Sequence, residues 1–266
     1  MTERKPEIGV MGQLMTQNVL DDLDFVIKNK FQWFEIDLDW KQNFDLDEKI
    51  IKEIRNKAKK NNIKLIVHTP WYLPVSTILP DIKKGVIENI RKAIIFAKKV
   101  GADRMTIHPG YREMPGPAIK LCYESLIENL TKIVEIANKY KINVCFENFD
   151  KNAYILCSEL EDYSRVLNSV KGLKTTLDVG HANTTSIKPS EYLESVKNTI
   201  MDMHVHDNNS EHDEHKCLGE GNIDFKKLFS TCKRIGYYGP FTLELFPYDN
   251  LLKGREILLK LWEDAK

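Results

Sequence analysis

The chain alternates between two hydrophobic periods. Short runs of apolar, β-branched or aromatic residues recur, each followed by a longer stretch whose apolar positions return every three to four residues. The short runs predict eight strands: Glu7–Met11, Gln32–Leu38, Ile63–His68, Arg104–His108, Ile142–Glu147, Lys174–Asp178, Met201–His206 and Phe241–Leu245. The longer stretches predict helices over Val19–Lys30, Asp45–Lys60, Ile82–Val100, Ala118–Tyr140, Ser158–Asn168, Pro189–Asn198, Phe225–Arg234 and Asn250–Trp262. Asp81 is expected to cap the third helix, and Pro189, with Ser190 beside it, to open the sixth.

Eight βα repeats imply a parallel sheet with right-handed crossovers. A length of 266 residues suits one (β/α)8 barrel, which uses about 250. The expectation is therefore an α/β protein with a single TIM-barrel domain over residues 1–266, stabilised mainly by a layered aliphatic core rather than by its rim. The alternative is an open doubly wound sheet, which normally carries a glycine-rich phosphate turn after its first strand. Here that turn reads Met11-Gly12-Gln13-Leu14, without GxGxxG, and there is no P-loop.

Composition narrows the partners. Lys and Arg total 39 and Asp and Glu total 39, so no global positive charge favours a nucleic-acid backbone. The start, Met1-Thr-Glu-Arg-Lys-Pro-Glu, has no apolar segment, and no apolar run approaches the ~18 residues of a membrane span. A cytoplasmic protein is expected. Five cysteines, an odd number with no CxxC pair, read as reduced thiols.

A barrel builds its active site at the C-terminal ends of its strands. Those ends carry His68 (KLIVHTP), His108 (MTIHPG), Glu147 (NVCFENF), Asp178 and His181 (TLDVGHA), His204 and His206 (MHVHDN) and Glu244 (FTLELFP). The loop after the seventh strand adds His212, Asp213 and His215, and no histidine falls in a predicted helix. So many imidazoles and carboxylates on one face would be costly if dry and unpaired. A divalent cation relieves that cost, and mixed imidazole and carboxylate ligands suit Zn²⁺, Mn²⁺ or Fe²⁺.

TLDVGHA, HPG, HVHDN, DEHKCLGEGNID and the final LEL, in this order, resemble the xylose isomerase-like TIM-barrel superfamily and, within it, endonuclease IV. The resemblance covers about residues 63–247. It implies a site of two or three zinc ions that hydrolyses a phosphate ester, either abasic DNA or a smaller ester. Glu147 would bridge the first two ions. His68 and His108 would complete the first, Asp178, His204 and Glu244 the second, and His181, Asp213 and His215 would hold the third. A two-residue shift would exchange His204 and His206; otherwise His206 occupies an adjacent pocket position. Metal-bound hydroxide would be the nucleophile. Asn148, Asp207, Asn208 and Glu220 are candidate supporting or substrate contacts, and Trp71 and Tyr72 (HTPWYLP) are candidates to stack on substrate.

Several positions depart from endonuclease IV. HVHDNN lacks the lysine of HLND[SA]K, DEH replaces DRH, and VGH replaces TCH. Glu35, Asp37 and Asp39 make the second strand acidic and, with Glu214, are expected to ring the mouth and repel DNA. These departures lean toward the sugar isomerase and epimerase branch. That resemblance implies one metal at Glu147, Asp178, His204 and Glu244, proton transfer by the two glutamates, and substrate contact by His181. The retained His68, His108, Asp213 and His215 favour hydrolysis as the first expectation. Metal-dependent isomerisation or epimerisation of a sugar or sugar phosphate is the alternative, and a non-catalytic metal-binding protein is the third.

Overall fold

The computed structural model describes residues 4–12, 18–40, 43 and 45–265. Eight parallel strands close in sequence order: β1 Ile8–Met11, β2 Trp33–Asp37, β3 Lys64–His68, β4 Arg104–Ile107, β5 Asn143–Glu147, β6 Lys174–Asp178, β7 Ile200–Val205 and β8 Phe241–Leu243. The TIM-barrel expectation holds. Of the turn after β1, Gln13 and Leu14 lie outside the described residues.

Helices among the described residues are α1 Val19–Lys28, α2 Glu48–Lys60, α3 Pro80–Val100, α4 Ile119–Tyr140, α5 Leu160–Ser169, α6 Val179–Asn183, α7 Pro189–Val196, α8 Phe225–Ile235 and α9 Tyr248–Asp264. Asn18, Asp47 and Asp224 cap α1, α2 and α8 through their side chains. Asp81 does not cap α3. The helix begins one residue earlier, at Pro80, whose missing N–H costs nothing in a first turn. The five-residue α6 was not predicted, so His181 does sit on a helix.

The register decides what faces the barrel axis. Paired residues of parallel neighbours share a face, and faces alternate along each strand. Glu35 pairs with Ile66, His68 with Thr106, Thr106 with Cys145, Glu147 with Thr176, Asp178 with His204, and His204 with Thr242. These residues form the inward set, and the layers they build are largely polar. At the N-terminal end the Arg104 guanidinium lies 4.6 Å over the Trp33 ring. Above it Thr106 donates to Glu35 (2.8 Å) and Thr242 to Asp202 (2.9 Å).

The expected aliphatic core therefore sits elsewhere, between the sheet and the helices. Val10, Phe34, Ile36, Val67, Ile107, Phe146, Leu177, Val205 and Leu243 point outward and are buried. They meet helix positions three or four apart, such as Ile90, Ile94 and Ala97 of α3 and Leu126, Leu130 and Ile133 of α4. The inward Trp33, Ile66 and Cys145 are buried but lie outside this cluster. All five cysteines are buried and free. No helix among the described residues is long and apolar enough to cross a membrane.

Candidate metal centre and active site

Glu147, the last residue of β5, is 1% exposed, and its two oxygens face two different groups. Oε2 lies 3.3 Å from His68 Nε2 and 2.8 Å from His108 Nε2. Oε1 lies 3.2 Å from His204 Nδ1. The His108 contact is short, yet His108 Nε2 makes no hydrogen bond. His68 and His204, by contrast, lie within hydrogen-bond distance of Glu147, so three imidazoles converge on one carboxylate.

His204 collects the second group. Its Nδ1 lies 2.9 Å from Glu244, 3.2 Å from Glu147 and 3.9 Å from Asp178. Its Nε2 faces inward, 2.9 Å from Glu35 and 3.6 Å from Asp202. Glu35 is wholly buried beneath the site, so it does not ring the mouth as expected. An Nε2–H held by Glu35 would leave the Nδ1 lone pair directed at Glu147 and Glu244, the arrangement that orients a metal-binding histidine.

The third group surrounds Asp213. One oxygen lies 3.0 Å from His215 Nε2 and 3.4 Å from His181 Nε2, and the other 3.4 Å from His206 Nε2. His206 also reaches Asp178 at 3.1 Å and stacks on His215 at 4.1 Å. Both strand 7 histidines thus point inward, His204 toward the second group and His206 between the second and third.

Local structure explains how these side chains are held. Asp178 caps α6 by accepting the His181 amide (2.6 Å). His181 Nδ1 donates to the Asn148 carbonyl (2.9 Å), which turns Nε2 toward Asp213. The Asn148 amide exchanges two hydrogen bonds with the Asp178 backbone, tying β5 to β6. Gly180 touches the His206 ring so closely that a Cβ there would lie 1.9 Å from Cε1. His215 is held at φ 47°, a costly backbone conformation for a histidine.

The electrostatics follow from packing charges together. Burial would lower the His68 pKa, but Glu147 and the surrounding carboxylates push it up to about 10. Burial likewise opposes the rise of His215, yet Asp213 and Glu244 take it to about 9. Burial would raise Glu244, but His204 brings it down to about 2. Burial, reinforced by Asp39, pushes Asp37 up to about 7. Several buried donor atoms have no hydrogen bond at all: His68 Nδ1, both His108 nitrogens, His206 Nδ1 and one Asp213 oxygen. A nitrogen and oxygen donor set of this kind fits Zn²⁺, Mn²⁺ or Fe²⁺.

Above the groups opens a cavity of about 410 Å³, reached by His68, His108, Glu147, His181, Asp213, His215 and Glu244. Trp71 lines it, whereas Tyr72 is 47% exposed and donates its hydroxyl to the Asp39 carbonyl. Asn148, His206 and Asp207 do not line it. Asp207 is buried, and its carboxylate accepts four loop amides, from Asn208, Gly219, Gly221 and Ile223. Asn208 bonds to Gly180 and Asn183, while Glu220 and Glu214 pair with Lys253 and Lys216. The acids that do line the mouth are Asp37, Asp39, Asp150 and Asp213.

Phe149 and Phe246 were missed. They stand two residues after Glu147 and Glu244, on the same face, in the repeated Glu-x-Phe of FENF and LELF. Phe149 stacks on His181 at 4.9 Å.

Known proteins place this architecture. The chain is similar to the uncharacterized protein MJ1311 of Methanocaldococcus jannaschii, 32% identical over 225 residues, 82% of this chain and 76% of that protein. It is 28% identical over 160 residues to L-ribulose-5-phosphate 3-epimerase UlaE of Escherichia coli, covering 60% of this chain and 56% of UlaE. A crystal structure of a D-tagatose 3-epimerase-like protein superposes with a TM-score of 0.89 at 28% identity, over 97% of this chain and 98% of that one. The last two names belong to the epimerase side, where the sequence put endonuclease IV first. Residues 23–262 match the profile of the xylose isomerase-like TIM barrel, and the chain belongs to that family.

Proposed function

We propose that this protein is a metal-dependent sugar epimerase or isomerase. The observation that carries the reading is the convergence of Glu244, Glu147 and Asp178 on His204 Nδ1, at 2.9, 3.2 and 3.9 Å, at the base of an open cavity. The likeness to two epimerase-named proteins at 28% identity supports it. It revises the expectation of a phosphoesterase.

Glu147, Asp178, His204 and Glu244 would hold the divalent ion, which, when bound, supplies polarisation of the substrate's carbonyl and hydroxyl oxygens. The protein's own groups do the rest. Glu147 and Glu244 come from β5 and β8, so they reach the cavity from different walls. One carboxylate takes the proton from the carbon beside the carbonyl, and the other returns a proton to the opposite face. His181, fixed by its bond to Asn148, presents Nε2 to the substrate. Phe149 packs against His108 and His181 and Phe246 against His215, which gives the cavity an apolar side.

A second reading has its own observation. The His68–His108–Glu147 and His206–Asp213–His215 groups are each compact enough for a further ion. That count suits phosphate-ester hydrolysis. One panel separates the two readings. The protein, loaded with Mn²⁺ or Zn²⁺, is offered free ketoses, ketose phosphates, a generic phosphodiester and an abasic duplex. We expect ketose interconversion without phosphate release. Ester or duplex cleavage without sugar interconversion would overturn the proposal.

A further inference from the structure

The cavity wall opposite β6 and β7 is built by the ends of β2 and β3, where Asp37 and Asp39 stand beside His68. Asp37 is the last residue of β2. It is 3% exposed, lines the cavity, and engages only one of its two carboxylate oxygens. Oδ1 accepts the Asp39 amide at 2.7 Å, and Oδ2 has no hydrogen-bond partner among the described residues. Asp39 is spent on the neighbouring loop: its Oδ1 accepts the Trp71 amide (2.9 Å) and its carbonyl accepts the Tyr72 hydroxyl (2.8 Å). These two bonds tie the Trp71 loop to the end of β2, and Trp71, 44% exposed, lines the same cavity as Asp37.

We propose that Asp37, Asp39 and Trp71 form a hydroxyl-binding subsite that favours an uncharged, unphosphorylated sugar. The inference rests on the epimerase reading for its reaction but not for its binding chemistry. An ionised carboxylate oxygen accepts hydrogen bonds and a protonated one donates, so in either state its natural partner is a hydroxyl, which does both. Leaving it unpaired is expensive, and a sugar hydroxyl removes that cost. The Trp71 ring supplies the flat apolar wall that orients a small ligand beside a few polar anchors.

Charge disfavours the phosphorylated alternative. The cavity carries six carboxylates, Asp37, Asp39, Glu147, Asp150, Asp213 and Glu244, against the four histidines of the metal groups, and no lysine or arginine lines it among the described residues. A phosphate dianion would meet like charge in a partly desolvated space, and its cationic partners there would be the histidines already engaged by the metal groups. UlaE, by its name, acts on a sugar phosphate; the proposal gives the present chain a different preference.

The test is calorimetric titration of the Mn²⁺-loaded protein with free ketopentoses and ketohexoses and with their terminal phosphates, with metal content measured in parallel. We expect a free ketose to bind at least about tenfold more tightly than its phosphate. Asp37→Asn keeps an acceptor for the Asp39 amide, so the loop should survive. The loss of a charged acceptor should weaken ketose binding about 10- to 100-fold. Trp71→Ala should weaken it several-fold, and both variants should keep their metal. Equal or tighter phosphate binding, no binding of any ketose, unchanged binding by Asp37→Asn, or loss of metal from that variant would each overturn the subsite. Ketose binding without interconversion would leave the subsite standing and sink the epimerase reading instead.

Discussion

Glu147 shows how much one side chain can organise here. Its two oxygens serve two different groups of histidines, so a change that keeps its shape and removes its charge disturbs both. Glu147→Gln should lower metal occupancy and cost at least about 100-fold in turnover while the barrel stays folded, because its apolar core lies outside the strands. Elemental analysis beside circular dichroism checks this; unchanged metal content would remove Glu147 from the site. Glu35 acts one step back. Held 2.9 Å from His204 Nε2, it should set that ring's tautomer, so Glu35→Gln should weaken metal binding about 10- to 100-fold without touching the cavity. Chelator competition measures it, and an unaltered affinity would make Glu35 merely a packed acid. The strand ends were legible because each closes a β-branched run with a polar residue. The depth of Glu35 was not. Alternation says which way Trp33, Glu35 and Asp37 face, but how far down the barrel each lies depends on the stagger between strands.

At the scale of elements, the five-residue α6 matters more than its length suggests. It is capped by Asp178, carries His181, and packs its Gly180 against the His206 ring. Fewer than two turns leave no hydrophobic period to read, which is why the sequence showed a loop there. Gly180→Ala should force the His206 ring aside, destabilise the protein by about 1–3 kcal/mol and depress activity. A melting curve with an activity assay checks this, and a variant of native stability and turnover would contradict the packing argument. The loop after β7 teaches the reverse lesson. Asp207 reads in sequence as a pocket residue, yet it spends its carboxylate on four amides of that loop. An aspartate in a turn-rich stretch satisfies backbone donors as readily as substrate, and composition does not distinguish the two.

For the whole molecule, a polar barrel interior surrounded by an apolar layer means that stability and site chemistry are linked through pH. The folded pKa values of His68 (about 10) and His215 (about 9) stand above the ordinary value of 6.5. The folded protein without metal therefore holds protons that the unfolded chain has lost in this window. Their stabilising contribution is complete below about pH 6.5 and is lost as pH rises through about 9 to 10. A metal ion requires neutral imidazole, so its affinity moves the opposite way. Added Mn²⁺ or Zn²⁺ should raise the Tm more at about pH 8.5 than at about pH 6. An equal or larger shift at the lower pH would contradict this account of the site.

The central claim is that two carboxylates move a proton at a sugar carbon beside a carbonyl, and solvent isotope exchange tests it most directly. A free ketose is incubated in D₂O with the Mn²⁺-loaded protein and followed by NMR. The account predicts an epimer or isomer carrying solvent deuterium at the carbon that loses its proton. The signal should vanish with chelator and in Glu147→Gln. Phosphate released from an ester, with no deuterium entering any ketose, would contradict it.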